Sequence, residues 1–152
     1  MSEFNEIKYE KLVDYLISCT DHDIDVVHIQ NLLYLFDFDY YELYETYLTG
    51  ESYRKSVTGV VSGHLETILE NVLDEHGRFQ STSYTDLSVF SKRDIEFIDR
   101  TLSRYKSYFP NDVLEYVLHD LPCEVTDHDN MIDYELVFYR DQSTSRRNYQ
   151  AD

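Results

Sequence analysis

Between Ile29 and Tyr47 the apolar side chains do not keep to one side of a helix. Ile29, Leu32, Leu33, Phe36, Tyr40, Leu43, Tyr44 and Tyr47 hold helical spacing. At about 100° per residue, Tyr34, Phe38, Tyr41 and Glu45 point away from the Phe36, Tyr40 and Leu43 face. A helix that is apolar nearly all round is normally central and buried. The same stretch carries Asp37, Asp39, Glu42 and Glu45 with no Lys or Arg among them. A segment both greasy and anionic can be a core element, a catalytic carboxylate cluster or a surface built for a partner. The piece "FDFDY" alternates with period two, but the longer window predicts a helix, with Gly50 as its stop.

The partner reading has a concrete form. Tyr and Phe are common anchors of protein–protein interfaces. On this reading Tyr34, Phe38 and Tyr41, ringed by Asp37, Glu42 and Glu45, grip a basic and partly apolar surface. The core reading instead places the aromatic residues inside.

The rest of the chain is helix-rich. Tyr9, Leu12, Val13, Leu16 and Ile17 predict an amphipathic helix. "ESYRKSVTG" predicts an extended segment ending in Gly59, able to pair with a second strand in the polar stretch near 79–86. Val61, Leu65, Ile68, Leu69, Val72 and Leu73 predict a third helix, stopped near Gly77. "SKRD" at 91–94 has a capping-box pattern ahead of Ile95, Ile98, Leu102 and Tyr105. Asn111 or Asp112 is placed to cap a helix through Val113, Leu114, Val117, Leu118 and Leu121, limited by Pro122. "NMIDYELVFYRD" reads as a final helix or strand, and the polar "QSTSRRNYQAD" as a disordered tail. Four glycines and two prolines in 152 residues favour helix over a turn-rich β fold. The expectation is a mostly α (α+β) fold. It is one compact helical domain over 1–141, with five or six helices and a minimal hairpin or edge-strand pair near 51–58 and 79–86. A disordered tail follows over 142–152.

Charge bounds the partners. The net charge is −17. No base lies between Lys11 and Arg54, where there are nine acids, or between Lys106 and Arg140, where there are eight. Such a chain repels nucleic acid and anionic membrane and attracts basic protein. No apolar run approaches the roughly 18 residues of a membrane span. The N-terminal "MSEFNEIKYEK" lacks the basic and apolar regions of a secretory signal. Two cysteines, Cys19 and Cys123, make no disulfide framework. A cytoplasmic protein with reduced thiols is expected.

Catalytic signatures are scarce. Cys19 falls on the edge of an apolar helical stripe, the place of a small packed residue. His119, Cys123 and His128 have the spacing H-x3-C-x4-H, short of the four ligands of a structural zinc site. Phosphate-cradling glycine motifs and a G-x-S-x-G elbow do not occur. No enzyme, cofactor or metal is expected.

The order "NLLYLFDFDYYELYETYLTGESYRKSVTGVVSGHLETIL" resembles the Panacea-domain family, the SocA-like antitoxins of toxin–antitoxin and phage-related loci. Leu32, Leu33, Tyr34 and Leu35 match that family's K-L-L-Y-L-like helix. Tyr53 and Lys55 match its extended Tyr-x-Lys segment, and Gly59 the glycine of the Gly-Pro turn that opens the next helix. "FSKRDIEFIDRTLSRYKSYFPNDVLEYVLHD" is similar to its second half, ending at His119. The likeness runs over about residues 5 to 140, with Val60 standing where the family has proline. It implies an α-rich, non-catalytic domain that binds and occludes a protein toxin. An alternative from charge alone is an acidic, phage-type decoy that mimics nucleic acid. A third is a hydrolase with a pocket holding His with Asp or Cys.

Overall fold

One helix organises the molecule: α2, Val26–Tyr44, is packed on all sides. The computed structural model describes residues 4–20, 25–72, 85–141 and 144–146. Around α2 lie α1 (Glu6–Cys19), α4 (Lys92–Tyr105), α5 (Pro110–His119), a short hairpin and a 3-10 segment (Tyr134–Tyr139). Two shorter helices, α3 (Leu65–Val72) and α6 (Leu121–Glu124), complete the helices among the described residues. The architecture is mostly helical with one two-stranded antiparallel hairpin, as the sequence predicts.

The ends of the helices follow from local chemistry. Asn5 caps α1 by accepting from the Lys8 N–H at 3.0 Å. Tyr9, Leu12, Val13, Leu16 and Ile17 are its buried stripe, as expected. Asp25 caps α2 by accepting from the His28 N–H at 2.8 Å. The stop of α2 is Glu45, in the left-handed region at φ 54°, and not Gly50, which serves the following loop at φ 76°. Ser91 caps α4 through the Asp94 N–H. The Asp94 carboxylate does not return to Ser91; it accepts from the Tyr40 hydroxyl at 2.6 Å, so the expected box is half-formed. At α5 the cap position is Phe109, with Pro110 in the first turn, and Asp112 reaches back to the Phe109 N–H.

The hairpin differs from the expected pairing. β1 (Tyr53–Ser56) pairs antiparallel with β2 (Gly59–Ser62), in register Tyr53↔Ser62 to Ser56↔Gly59. Residues 79–84 lie outside the described residues, and Thr85 and Asp86 are not in a strand. Val61, read as the start of the third helix, is therefore in β2, and that helix starts at Leu65. The cause is tertiary. On its far edge β2 offers the N–H groups of Val60 and Ser62, and α2 supplies both acceptors. Asn31 Oδ1 accepts from Val60 at 3.1 Å and Gln30 Oε1 from Ser62 at 3.0 Å. The free edge of the sheet is thus closed by side chains. On the other side of β1, residues 129–132 add backbone bonds, with Ile132 N–H donating to Tyr53 O at 2.8 Å.

Gly59 is required twice over. Its φ is +104°, and a Cβ there would stand 2.1 Å from Asn31 Oδ1. The glycine opens a strand here, not a helix. The Val60 N–H that bonds Asn31 is a donor that proline would lack.

The polar end of the chain is corrected in part. Residues 142–143 and 147–152 lie outside the described residues. Thr144, Ser145 and Arg146 fold back onto α2, where Arg146 meets buried carboxylates that need a second cation.

Candidate functional site

The carboxylates of α2 fall into two groups, Asp37 on one side and Asp39 with Glu42 on the other. Asp37 accepts from the Thr49 N–H (2.9 Å), the Thr49 hydroxyl (2.7 Å) and the Tyr53 hydroxyl (2.6 Å). Burial pushes its carboxyl up to about 6, against these bonds. Beside it Glu51, fully buried, accepts from the N–H groups of Ser52 and His64 and from the Ser62 hydroxyl. The His64 ring nitrogen Nδ1 lies 2.6 Å from Glu51, and Phe4 stacks on that ring.

On the opposite side, Arg140 gathers three carboxylates. Nη1 donates to Asp39 (2.9 Å) and Glu42 (3.0 Å), while Nε and Nη2 both reach Asp120 (3.0 and 2.8 Å). Tyr34 donates to Asp120 and Tyr105 to Asp39, each at 2.7 Å. Burial raises the Asp39 carboxyl, and Arg140 and Arg146 oppose it. Against these acids Arg140 stays protonated, its pKa raised well above the ordinary value.

These networks overturn the surface role of four predicted residues. Tyr34, Asp37, Phe38 and Glu42 are fully buried. Their aromatic rings fill the core, with Phe38 stacked on Tyr34 and Tyr134, and their acids are paired inside. The central-helix reading is the one the packing supports.

The other two residues, Tyr41 and Glu45, do reach the surface. Tyr41 stacks on Tyr47 at 5.2 Å between ring centroids and lies 5.4 Å from Tyr134. Tyr47 meets Tyr134 edge-on at 5.0 Å. Next to this cluster is a cavity of about 270 Å³ lined by Tyr47, Glu51, Met131, Asp133, Tyr134 and Glu135, among others. Asp133 and Glu135 are exposed, and with Glu45 they lie close enough to Tyr41 to raise its hydroxyl pKa, behind the larger effect of burial. The sequence does not single out Tyr47 as a site residue, and it marks Asp133, Tyr134 and Glu135 only as part of the base-free stretch from Asp112 to Glu135, the alternative place for a binding face. The signal was present in "IDYEL", the same mixture of aromatic and acid seen in α2.

The two base-free stretches divide differently between core and surface. In the first, Asp37, Asp39, Glu42 and Glu51 are buried. In the second, Asp112, Glu115, Glu124, Asp127, Asp129, Asp133 and Glu135 are all exposed, and Asp120 alone is inside. Val125, Met131 and Tyr139 stand exposed along the same stretch. Between Glu124 and Glu135 the surface is an acidic ridge with apolar points, ending at the aromatic cavity.

His119, Cys123 and His128 are not arranged as a site. Cys123 is buried, its thiol aimed at Gly59 O and pushed up to about 11 by burial, while both histidines are exposed. Among the described residues no three His, Cys, Asp or Glu side chains converge as metal ligands, and no helix is long and apolar enough to cross a membrane. The expected edge strand at 79–84 and the helix stop at Gly77 lie outside the described residues. No protein-family model, curated protein or solved structure matches the chain.

Proposed function

We propose that this chain is a non-enzymatic, cytoplasmic protein-binding module of the antitoxin kind, which occludes a basic partner. The carrying observation is the aromatic cavity of Tyr47 and Tyr134, flanked by Tyr41 and rimmed by Asp133 and Glu135. An arginine or lysine entering it would meet aromatic faces and carboxylates together, the two features that favour a cation at an interface. The exposed acids Glu124, Asp127, Asp129, Asp133 and Glu135 outnumber the Lys55 ammonium that lies against Glu124 O, and would steer such a partner over a longer range. The resemblance to SocA-like antitoxins supports the same class of role, with the binding face on this ridge in place of α2.

The test is capture from the host with wild type and with a Tyr41→Ala, Asp133→Asn, Glu135→Gln variant. Asn at 133 keeps the oxygen that caps the Glu135 N–H, so the 3-10 segment is preserved. The expected result is a basic protein retained by wild type, released by high salt, lost on the variant, and toxic when expressed without this chain. Equal capture by both proteins would refute the site. A retained nucleic-acid-binding protein that is not toxic would instead favour the decoy function.

A further inference from the structure

The segment Thr144–Arg146 lies against the buried acids of α2. The N–H groups of Thr144 and Ser145 turn back onto Asp141 O at 3.2 and 2.9 Å. The Ser145 hydroxyl bonds Glu42 Oε2, and the Arg146 N–H donates to Glu42 Oε1 at 2.8 Å. The Arg146 guanidinium enters beside Tyr116, whose hydroxyl accepts from Nη2, and Nε stands 3.5 Å from Asp39 Oδ2. The Arg146 side chain is only 15% exposed, yet its Nε has no hydrogen-bond acceptor among the described residues. Arg140, by contrast, engages carboxylates through Nε, Nη1 and Nη2. Three buried carboxylates, Asp39, Glu42 and Asp120, exceed the single charge of Arg140. A second buried cation is therefore favoured at this place, and Arg146 supplies it with its Nε left without an acceptor among the described residues.

We propose that Asp39, Glu42, Tyr105 and Tyr116 form a receptor slot for a Ser-Arg or Thr-Arg segment of another protein, which Ser145 and Arg146 occupy in the resting chain. Glu42 reads the hydroxyl and the backbone N–H. Asp39 and the Tyr116 hydroxyl read the guanidinium. The strap is then an internal competitor that a partner segment displaces. The slot lies on different residues from the aromatic cavity, and its test needs no natural partner.

The probe is a fluorescent peptide Thr-Ser-Arg-Arg-Asn, copied from residues 144–148, titrated into the full chain and followed by anisotropy. Wild type should bind it weakly, because the slot is taken. Arg146→Ala, and separately Ser145→Asp, which sets a like charge against Glu42, should each bind at least about tenfold more tightly, the factor that self-occupancy removes. Adding Tyr116→Phe to Arg146→Ala should reverse part of that gain. Should Arg146→Ala melt early, Arg146→Lys keeps the cation and the fold while losing the fork, and should still bind the probe about threefold more tightly than wild type. Equal binding by wild type and every opened variant would overturn the proposal. So would equal affinity for a probe with lysine replacing both arginines, since that would be attraction to net charge alone.

Discussion

Arg140 and Asp120 meet by two parallel hydrogen bonds, Nε to Oδ1 at 3.0 Å and Nη2 to Oδ2 at 2.8 Å, with both side chains 1% exposed. This fork geometry belongs to arginine. Removing the cation leaves Asp39, Glu42 and Asp120 facing one another inside the fold. Arg140→Ala is expected to lower stability by about 3–5 kcal/mol, the scale for breaking a buried pair from one side. Arg140→Lys should recover only part of it. Urea denaturation of the three proteins at neutral pH measures both effects.

Phe38 and Tyr41 are neighbours on α2 with different duties. Phe38 is fully buried against Tyr34, Tyr53 and Tyr134. Phe38→Ala should cost about 3–5 kcal/mol by thermal or chemical melting, as for other buried aromatic truncations. Tyr41 is half-buried at the edge of the cavity, so Tyr41→Ala should melt much closer to wild type. Its effect should appear in partner dissociation, faster by roughly 2 kcal/mol or more if Tyr41 is an anchor. A Tyr41→Ala protein that dissociates at the wild-type rate would place the anchor elsewhere.

Asp37 gives a pH dependence of definite sign. Burial, the largest cause, raises its carboxyl from 3.8 to about 6 in the folded protein. The folded state therefore holds the proton more tightly than the unfolded chain. Its contribution is complete below pH 3.8 and is lost as the pH rises through about 6. The loss is roughly 3 kcal/mol between those limits. Asp37→Asn keeps the shape, and the hydroxyls of Thr49 and Tyr53 can turn to suit it. That variant should show a flatter stability profile between pH 4 and 6 than wild type. Denaturant midpoints at successive pH values decide it.

Gly59→Ala should destabilise by more than about 1 kcal/mol, because the new Cβ meets both a left-handed φ and the Asn31 amide. Asn31→Ala removes the clash but strips the Val60 N–H of its acceptor, at roughly 1–3 kcal/mol. The double variant should be less damaged than the sum of the two, since one partner's loss relieves the other's strain. Melting curves of the two single variants and the double variant complete the cycle.

How much was legible from the sequence depends on which force decides each element. The stripe Tyr9 to Ile17 and the all-round apolar pattern of α2 announce burial directly, because periodicity reports what must leave water. β2 was hidden because Val61, Leu65, Ile68 and Leu69 also satisfy a helical period. The acceptors that fix the strand, Gln30 and Asn31, come from a helix some thirty positions away. The burial of Asp37, Asp39 and Glu42 was hidden for a related reason. An acid looks the same in sequence whether water or Arg140 neutralises it, and Arg140 stands about a hundred residues later. Arg146 was read from its polar neighbours, when its own charge was what placed it. Of the six residues read as a partner face, only Tyr41 and Glu45 reach the surface, beside the cavity, because the other four are taken up by the core and its buried acids.

The position of Arg140 has a consequence for synthesis. Chains emerge from the ribosome N-terminal end first, and α2 is made long before the residue that neutralises it. Until Arg140 arrives, Asp39 and Glu42 cannot be desolvated as a charged pair, so the helix that forms the centre of the finished molecule has no stable place to be buried. The nascent protein must hold its most apolar element in an acid-flanked, hydrated state, and the core closes only once the segment carrying Arg140 has been made.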